Sequence, residues 1–197
     1  MAKTLQPSSP FLRTRLAEVH DFWFHQLTPD DWFSVDERLD QTIRQNFSAF
    51  YEQLRQSPPA TESLSAREML ALILLFDQFP RNMFRGSARA FESDPLARRL
   101  TRKALERKLD EELSENERAF IYMPLEHSEN LDDQELCVRL FEEKTRLEEQ
   151  QRYAVWHRDI IRQFGRFPHR NALLGRPSTA KEQDYLQKGG PAFGTRK

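Results

Sequence analysis

The sequence contains a single cysteine, Cys137, among 197 residues. This excludes a disulfide framework and a metal site built from several cysteines, and it fits a reducing compartment. Cys137 lies in the helix-like stretch DDQELCVRLFEE with no histidine or lysine beside it. Nothing in the sequence would therefore lower the pKa of its thiol, and we interpret it as a structural residue rather than a nucleophile.

The chain also lacks long apolar runs and an excess of one charge. No run approaches the ~20 apolar residues that a membrane helix needs, and the N-terminal stretch has no apolar signal core. The 30 lysines and arginines and 31 aspartates and glutamates leave a formal net charge of -1, which gives no general attraction to nucleic acid or to anionic membranes. We therefore predict a cytoplasmic protein that binds neither nucleic acid nor membranes.

Glycine is scarce, with six residues, and strict apolar–polar alternation is rare, which argues against a β-sheet. Apolar residues instead recur every three or four positions, the spacing of helices with one buried face. The stretches SARE, SENE and TAKE, which begin at Ser65, Ser114 and Thr179, are capping boxes that predict helix starts. After the first of them, MLALILLFDQF is apolar all round and predicts a central, fully buried helix.

These patterns together predict the fold class. We expect an all-α protein, a single domain of about eight antiparallel helices. The predicted domain covers residues 1–188, and the glycine-rich residues 189–197 are predicted to form a flexible C-terminal tail.

Two distant stretches repeat nearly the same residues, DQFPRNMFRG at Asp77–Gly86 and GRFPHRNALLGR at Gly165–Arg176. Each follows a strongly apolar helix-like run and contains Phe-Pro followed by Arg-Asn. Proline restricts the backbone before it, so we expect two rigid turns that meet in space and form one polar site. Arginine forks bind carboxylates and phosphates, and the predicted ligand-binding residues are the arginines and asparagines of both stretches: Arg81, Asn82, Arg85, Arg166, Arg170 and Asn171.

Asp77 is predicted to end the central apolar helix. The helix macrodipole disfavours a carboxylate at that position unless a positive charge compensates it. Arg81, Arg85 or an arginine of the second stretch would supply that charge. Asp77 would then either hold Arg81 in place and lock the turn, or orient Arg81 towards a ligand.

Two histidines lie where they could face the site. His127 follows a predicted helix end, and His169 lies inside the second stretch. If the protein is an enzyme, we predict that one of them is a general acid or base whose tautomer is set by Glu126 or Asp77. His157 lies on an apolar stripe, and whether it belongs to the core or to the site stays open. No paired metal-ligand spacing is present and the arginines would repel a cation, so neither a metal nor a cofactor is predicted.

Three hypotheses for the function remain open. The first is a pocket for a small anionic ligand bearing a phosphate or carboxylate, and a closed pocket lined by both stretches would favour it. The second is a groove that binds a peptide or protein partner, favoured by an open groove with exposed aromatic residues. The third is a buried Arg–Asp–Asn network that only fixes helix packing, favoured by burial of every arginine without a cavity. The sequence does not set the oligomeric state.

Several long motifs are similar to those of one bacterial family, namely DFWF, WFSVDERLD, LLFDQFPRNMFRG, ARAFESDPLAR, ERAFIYMPLEHSENLDDQE and HRDIIRQFGRFPHRNALLGRPSTAKE. From about Phe22 to Tyr185 the chain resembles the domain of unknown function DUF924. The resemblance implies an all-helical fold similar to tetratricopeptide-repeat proteins, without an established activity.

Overall fold

The structure is a computed structural model, and it describes residues 9–190. Over that range the chain forms nine α-helices and no strand, which confirms the all-α class. The helices are α1 Pro10–Asp21, α2 Pro29–Trp32, α3 Glu37–Gln56, α4 Ala66–Met83, α5 Asp94–Glu106, α6 Glu115–Glu126, α7 Leu131–Lys144, α8 Glu148–Phe164 and α9 Ala180–Gln187. The short α2 is the helix that the sequence did not predict. Residues 191–197 of the predicted tail lie outside the described residues.

Helix α4 is the centre of the domain, as its apolar sequence predicts. It packs against α1, α3, α5 and α6, and every residue from Met69 to Pro80 is buried. Helix α8 packs on α7, and α9 packs against a short 3-10 turn at Pro168–Arg170. The single domain is therefore confirmed, whereas its likeness to tetratricopeptide repeats stays a prediction.

Helix starts follow the predicted caps. The hydroxyls of Ser65, Ser114 and Thr179 accept hydrogen bonds from backbone N–H groups three residues on, and the glutamates at those positions reach back. Each cap satisfies N–H groups that the first turn leaves without partners. Helices α4, α6 and α9 thus begin at the predicted capping boxes.

A π-helical turn follows α1 at Phe22–Gln26. The carbonyl of Trp23 in this turn accepts a hydrogen bond of 2.8 Å from Nε1 of Trp32. This bond ties the loop that contains α2 to the end of α1. No helix in the described range has the length and apolarity needed to cross a membrane.

Candidate functional site

A cavity of about 810 Å³ lies between the loop at residues 29–34, the C-terminal ends of α4 and α6, and helix α8. Residues of the second repeated stretch, His169, Arg170 and Leu173, complete its wall. Arg81, Asn82, Arg85 and Gly86 of the first stretch line the same cavity. The two stretches therefore meet in space.

The first stretch is not a turn after the helix, because α4 continues to Met83 with Pro80 inside it. Proline has no N–H, so the carbonyl of Phe76, four residues earlier, loses its helical donor. The hydroxyl of Ser93 donates to that carbonyl at 2.7 Å. The prediction that Asp77 ends the helix is therefore wrong, and the macrodipole does not explain its charge partners.

Asp77 and His127 form a hydrogen-bonded pair beside the cavity. Nδ1 of His127 lies 2.8 and 3.0 Å from the two carboxylate oxygens of Asp77, whose side chain is 1% exposed. The amide of Gln78 donates to Oδ2 of Asp77 at 2.6 Å. Because the carboxylate accepts from Nδ1, the other ring nitrogen, Nε2, carries the lone pair, and it has no hydrogen-bond partner within residues 9–190.

The charges around the pair set its protonation state. Burial would raise the pKa of Asp77, but the charges of His127 and Arg81 and the hydrogen bonds from His127 and Gln78 outweigh burial and lower it. Burial and the charge of Arg81 lower the pKa of His127, although Asp77 opposes them. At neutral pH the pair is therefore a carboxylate and a neutral imidazole, a combination that suits a general base.

Two arginines, one from each repeated stretch, meet at Asp94. Arg81 donates to both of its carboxylate oxygens, at 2.9 and 3.1 Å, and Nη1 of Arg170 lies 3.4 Å from Oδ2. Arg170 also donates to the carbonyl of His127 at 3.0 Å. Arg81 and Arg170 thus lie close together, as predicted. The carboxylate that joins them, Asp94, was not among the predicted site residues.

The sequence predicts only a helix cap for Asp94, since proline follows it. It is the first residue of α5, and Ser93 occupies the cap position. The signal that could have identified Asp94 as a site residue is its negative charge, because the predicted arginines need a carboxylate partner.

The guanidinium of Arg170 lies between two aromatic rings, 4.6 Å from the centre of Phe91 and 4.5 Å from that of Phe167. The residue is 6% exposed, and its Nε has no hydrogen-bond partner in the described chain. Burial, partly offset by Asp94, lowers the pKa of Arg170 to about 10, so it stays charged at neutral pH.

Glu126 and His157 form a second buried pair on the cavity wall. Nδ1 of His157 donates to the carbonyl of Tyr153 at 2.8 Å and lies 3.2 Å from a carboxyl oxygen of Glu126. Burial and the nearby charge of Asp77 raise the pKa of Glu126 to about 8. Burial holds the pKa of His157 well below its ordinary value. Glu126 is therefore protonated at neutral pH and pairs with His157, not with His127 as one prediction had it.

His169 lies on the cavity wall and packs on Phe167, with ring centres 5.6 Å apart. Burial and the charge of Arg170 lower the pKa of His169 to about 3. It is therefore neutral at neutral pH, like His127. Because both carboxylate oxygens of Asp77 lie within hydrogen-bond distance of its Nδ1, His127 is the base that the geometry supports.

The other predicted binding residues divide into two groups. Asn82 and Arg85 line the cavity but both donate to Asp40, which anchors them to α3. Arg166 and Asn171 do not line the cavity. Arg166 pairs with Glu182, and Asn171 forms hydrogen bonds with the side chains of Ser178 and Arg176, all within the C-terminal segment. Only part of each stretch therefore reaches the site.

A pair that the sequence did not reveal holds the second stretch in place. Arg176 donates to both carboxylate oxygens of Glu129, at 2.6 and 2.9 Å. Glu129 also accepts from the backbone N–H of Phe167 at 2.8 Å. This pair positions the 3-10 turn that carries Arg170. Within the described residues, no group of three or more histidine, cysteine, aspartate or glutamate side chains is arranged to hold a metal ion.

The raised pKa of Glu126 predicts a pH-dependent effect of Glu126→Gln. A group whose pKa is raised on folding stabilises the protein below its unfolded pKa and loses that contribution as pH rises towards the folded pKa, here about 8. Glutamine resembles the protonated acid and does not titrate. We expect the variant to match wild type near pH 4.5 and to exceed it by about 1–3 kcal/mol at pH 8, measured by urea unfolding at each pH.

Glu149→Gln is the control for this experiment, because Glu149 lines the same cavity but is exposed. Its difference from wild type should stay within about 0.5 kcal/mol at every pH. A Glu126→Gln variant that becomes less stable than wild type as pH rises would contradict the assignment of a protonated Glu126.

Comparison with known proteins places the chain in a family. Residues 19–190 match the family described as "Bacterial protein of unknown function (DUF924)". A solved structure, "Structure of Protein of Unknown Function ATU0120 from Agrobacterium tumefaciens", is similar with a TM-score of 0.81 and 37% sequence identity, covering 90% of this chain and 99% of that chain. No curated protein matches the chain. The resemblance of the motifs is thereby confirmed, and the chain belongs to the DUF924 family of bacterial proteins.

Proposed function

We propose that the cavity binds a small molecule carrying a carboxylate or phosphate and that His127 acts on it as a general acid–base. One observation carries this proposal: a buried carboxylate holds Nδ1 of His127 while Nε2 has no partner in the described chain, on the wall of a cavity of about 810 Å³. Cavities of roughly 300–1,000 Å³ are typical of small-molecule sites.

The chemistry follows from the pair. Nε2 of a neutral His127 accepts a proton from the ligand or from a water beside it, and Asp77 stabilises the imidazolium that forms. Such a base contributes about 10²–10⁴-fold to a rate. Cys137 is buried with its thiol pKa raised far above the ordinary value, so the proposed chemistry is proton transfer or attack by water, without a covalent cysteine intermediate.

Arg81 and Arg170 supply the positive charge for the anionic group. Both arginines line the cavity, which supports this role. The alternative of a purely structural network fits Arg166 and Asn171, which lie outside the cavity. It fits Arg81 and Arg170 less well, because both line the cavity.

Binding is tested by thermal shift and calorimetry with acetate, benzoate, inorganic phosphate and phenyl phosphate. At a hundredfold excess over the dissociation constant, a binder should stabilise the wild type by about 2.7 kcal/mol. Arg81→Lys keeps the charge but removes the two-pronged donor, and His127→Asn keeps an N–H towards Asp77 but removes Nε2. We expect each to weaken binding by roughly 10–100-fold.

Arg166→Lys is the matched control, because Arg166 belongs to the same sequence pattern but lies outside the cavity. It should bind every probe as wild type does. Calorimetry in buffers of different ionisation enthalpy should show proton uptake on binding near pH 6.5, absent in His127→Asn. Absence of binding by all four anions, or equal binding by all three variants, would refute the proposal.

The second candidate is an interaction with a peptide or protein, favoured by exposed aromatic residues at the cavity mouth. Phe33 is 57% exposed and Trp156 is 55% exposed. This candidate predicts that the free anions in the calorimetric series do not bind, whereas a peptide ending in an aromatic residue does.

A further inference from the structure

The mouth of the cavity is aromatic on two sides. Trp32 and Phe33 come from the loop at residues 29–34, and Tyr153 and Trp156 come from α8. Phe33, Trp156 and Tyr153 are 57%, 55% and 41% exposed. Exposed aromatic rings clustered around a cavity mark a surface that binds an apolar group.

These rings are held in place by their neighbours. Phe33 stacks on the buried Phe120, with ring planes 8° apart and centres 6.3 Å apart. The indole N–H of Trp32 is fixed by the carbonyl of Trp23. Tyr153 and Trp156 contact each other edge to face, with centres 5.8 Å apart. These contacts within the chain restrict the rings on both sides of the mouth, which reduces the entropy lost on binding.

The charges around the cavity disfavour a ligand with two negative charges more strongly than one with a single negative charge. Three arginines of the cavity pair with three carboxylates, of which Asp40 and Asp77 are buried and Asp94 is partly buried. The arginines are Arg81, Arg85 and Arg170. Asp30 and Glu149 add exposed negative charge at the mouth. The site thus has no surplus of positive charge to balance a phosphate dianion, and like charges at its entrance oppose one.

We propose that the ligand is a small aromatic monocarboxylate, with its ring between the 29–34 loop and α8 and its carboxylate towards Arg81, Arg170 and His127. This inference rests on the proposed function and narrows it from anions in general to one class. The volume of about 810 Å³ exceeds what acetate or inorganic phosphate fills and leaves room for a ring.

Titration calorimetry of the full chain with benzoate, cyclohexanecarboxylate, acetate and phenyl phosphate tests the inference. We expect benzoate to bind at least about tenfold more tightly than acetate and phenyl phosphate and several-fold more tightly than cyclohexanecarboxylate, whose ring is not flat. Trp156→Ala should remove most of the preference for benzoate over acetate. The exposed Trp156 should also report benzoate binding through its fluorescence.

Phe11→Ala is the control, because Phe11 is 52% exposed and does not line the cavity. It should keep the wild-type preference. Equal affinities for benzoate and acetate would overturn the aromatic class while leaving anion binding intact, and tighter binding of phenyl phosphate would overturn the monocarboxylate class. If no carboxylate or phosphate binds at all, the proposed function itself fails, and the inference fails with it.

Discussion

Replacing Asp77 with alanine should lower the free energy of unfolding by about 3–5 kcal/mol. Asp77 is 1% exposed and accepts hydrogen bonds from His127 and Gln78, while Nη1 of Arg81 lies 3.6 Å from its carboxylate. Alanine leaves these groups buried without their shared acceptor, and part of the charge of Arg81 loses its partner. Chemical unfolding at pH 7 measures the loss.

Two further variants separate charge from hydrogen bonding. Asp77→Asn keeps an acceptor for His127 but loses the charge, so we expect an intermediate loss of about 1–3 kcal/mol. Asp159→Ala removes an exposed aspartate that pairs with Arg158 and should cost less than about 0.5 kcal/mol. A loss below about 1 kcal/mol for Asp77→Ala would show that the Asp77–His127 pair is not an organising element of the domain.

Asp94→Ala should destabilise the protein by about 2–4 kcal/mol, and added anions should restore part of that loss. Arg81 and Arg170 both contact Asp94 and are 19% and 7% exposed at the side chain. Without the carboxylate the two guanidinium groups repel each other in a poorly hydrated site. A carboxylate or phosphate from solution can then take the position of Asp94.

The restoration is measured as the rise in melting temperature with sodium acetate or phosphate, against sodium chloride at equal ionic strength. We expect the rise to be larger for Asp94→Ala than for wild type. Glu182→Ala is the matched control, since it removes the partner of Arg166 outside the cavity. A variant that responds to acetate and chloride alike would show that the two arginines do not form an anion site once Asp94 is gone.

Features that depend on neighbouring residues were predicted correctly from the sequence. Capping residues fix helix starts within a few positions, and the uninterrupted apolar stretch before Asp77 identified the buried helix. The sequence also suggested that Arg81 and Arg170 converge. These features depend on neighbouring residues, or on a repeated pattern, and both are visible along one chain.

Ion pairs between residues far apart in the chain could not be predicted from the sequence. Asp94 joins two arginines that lie 13 and 76 positions away, and Glu129 pairs with Arg176 across 47 positions. Arg166 and Arg170 belong to the same repeated stretch, yet only Arg170 lines the cavity. Which carboxylate an arginine meets is decided by helix packing. The helix end predicted before Pro80 was wrong because Ser93, from outside the helix, donates to the carbonyl that the missing N–H of Pro80 leaves without a donor.

The position of Arg170 in the chain has a consequence for biosynthesis. During translation, Asp77, Arg81, Asp94 and His127 leave the ribosome before the segment at 165–176 that carries Arg170 and Arg176. The cavity wall formed by that segment is therefore added last, and the bond from Arg176 to Glu129 fixes its position. The contact between Arg170 and Asp94 can consequently form only after the C-terminal segment has been synthesised.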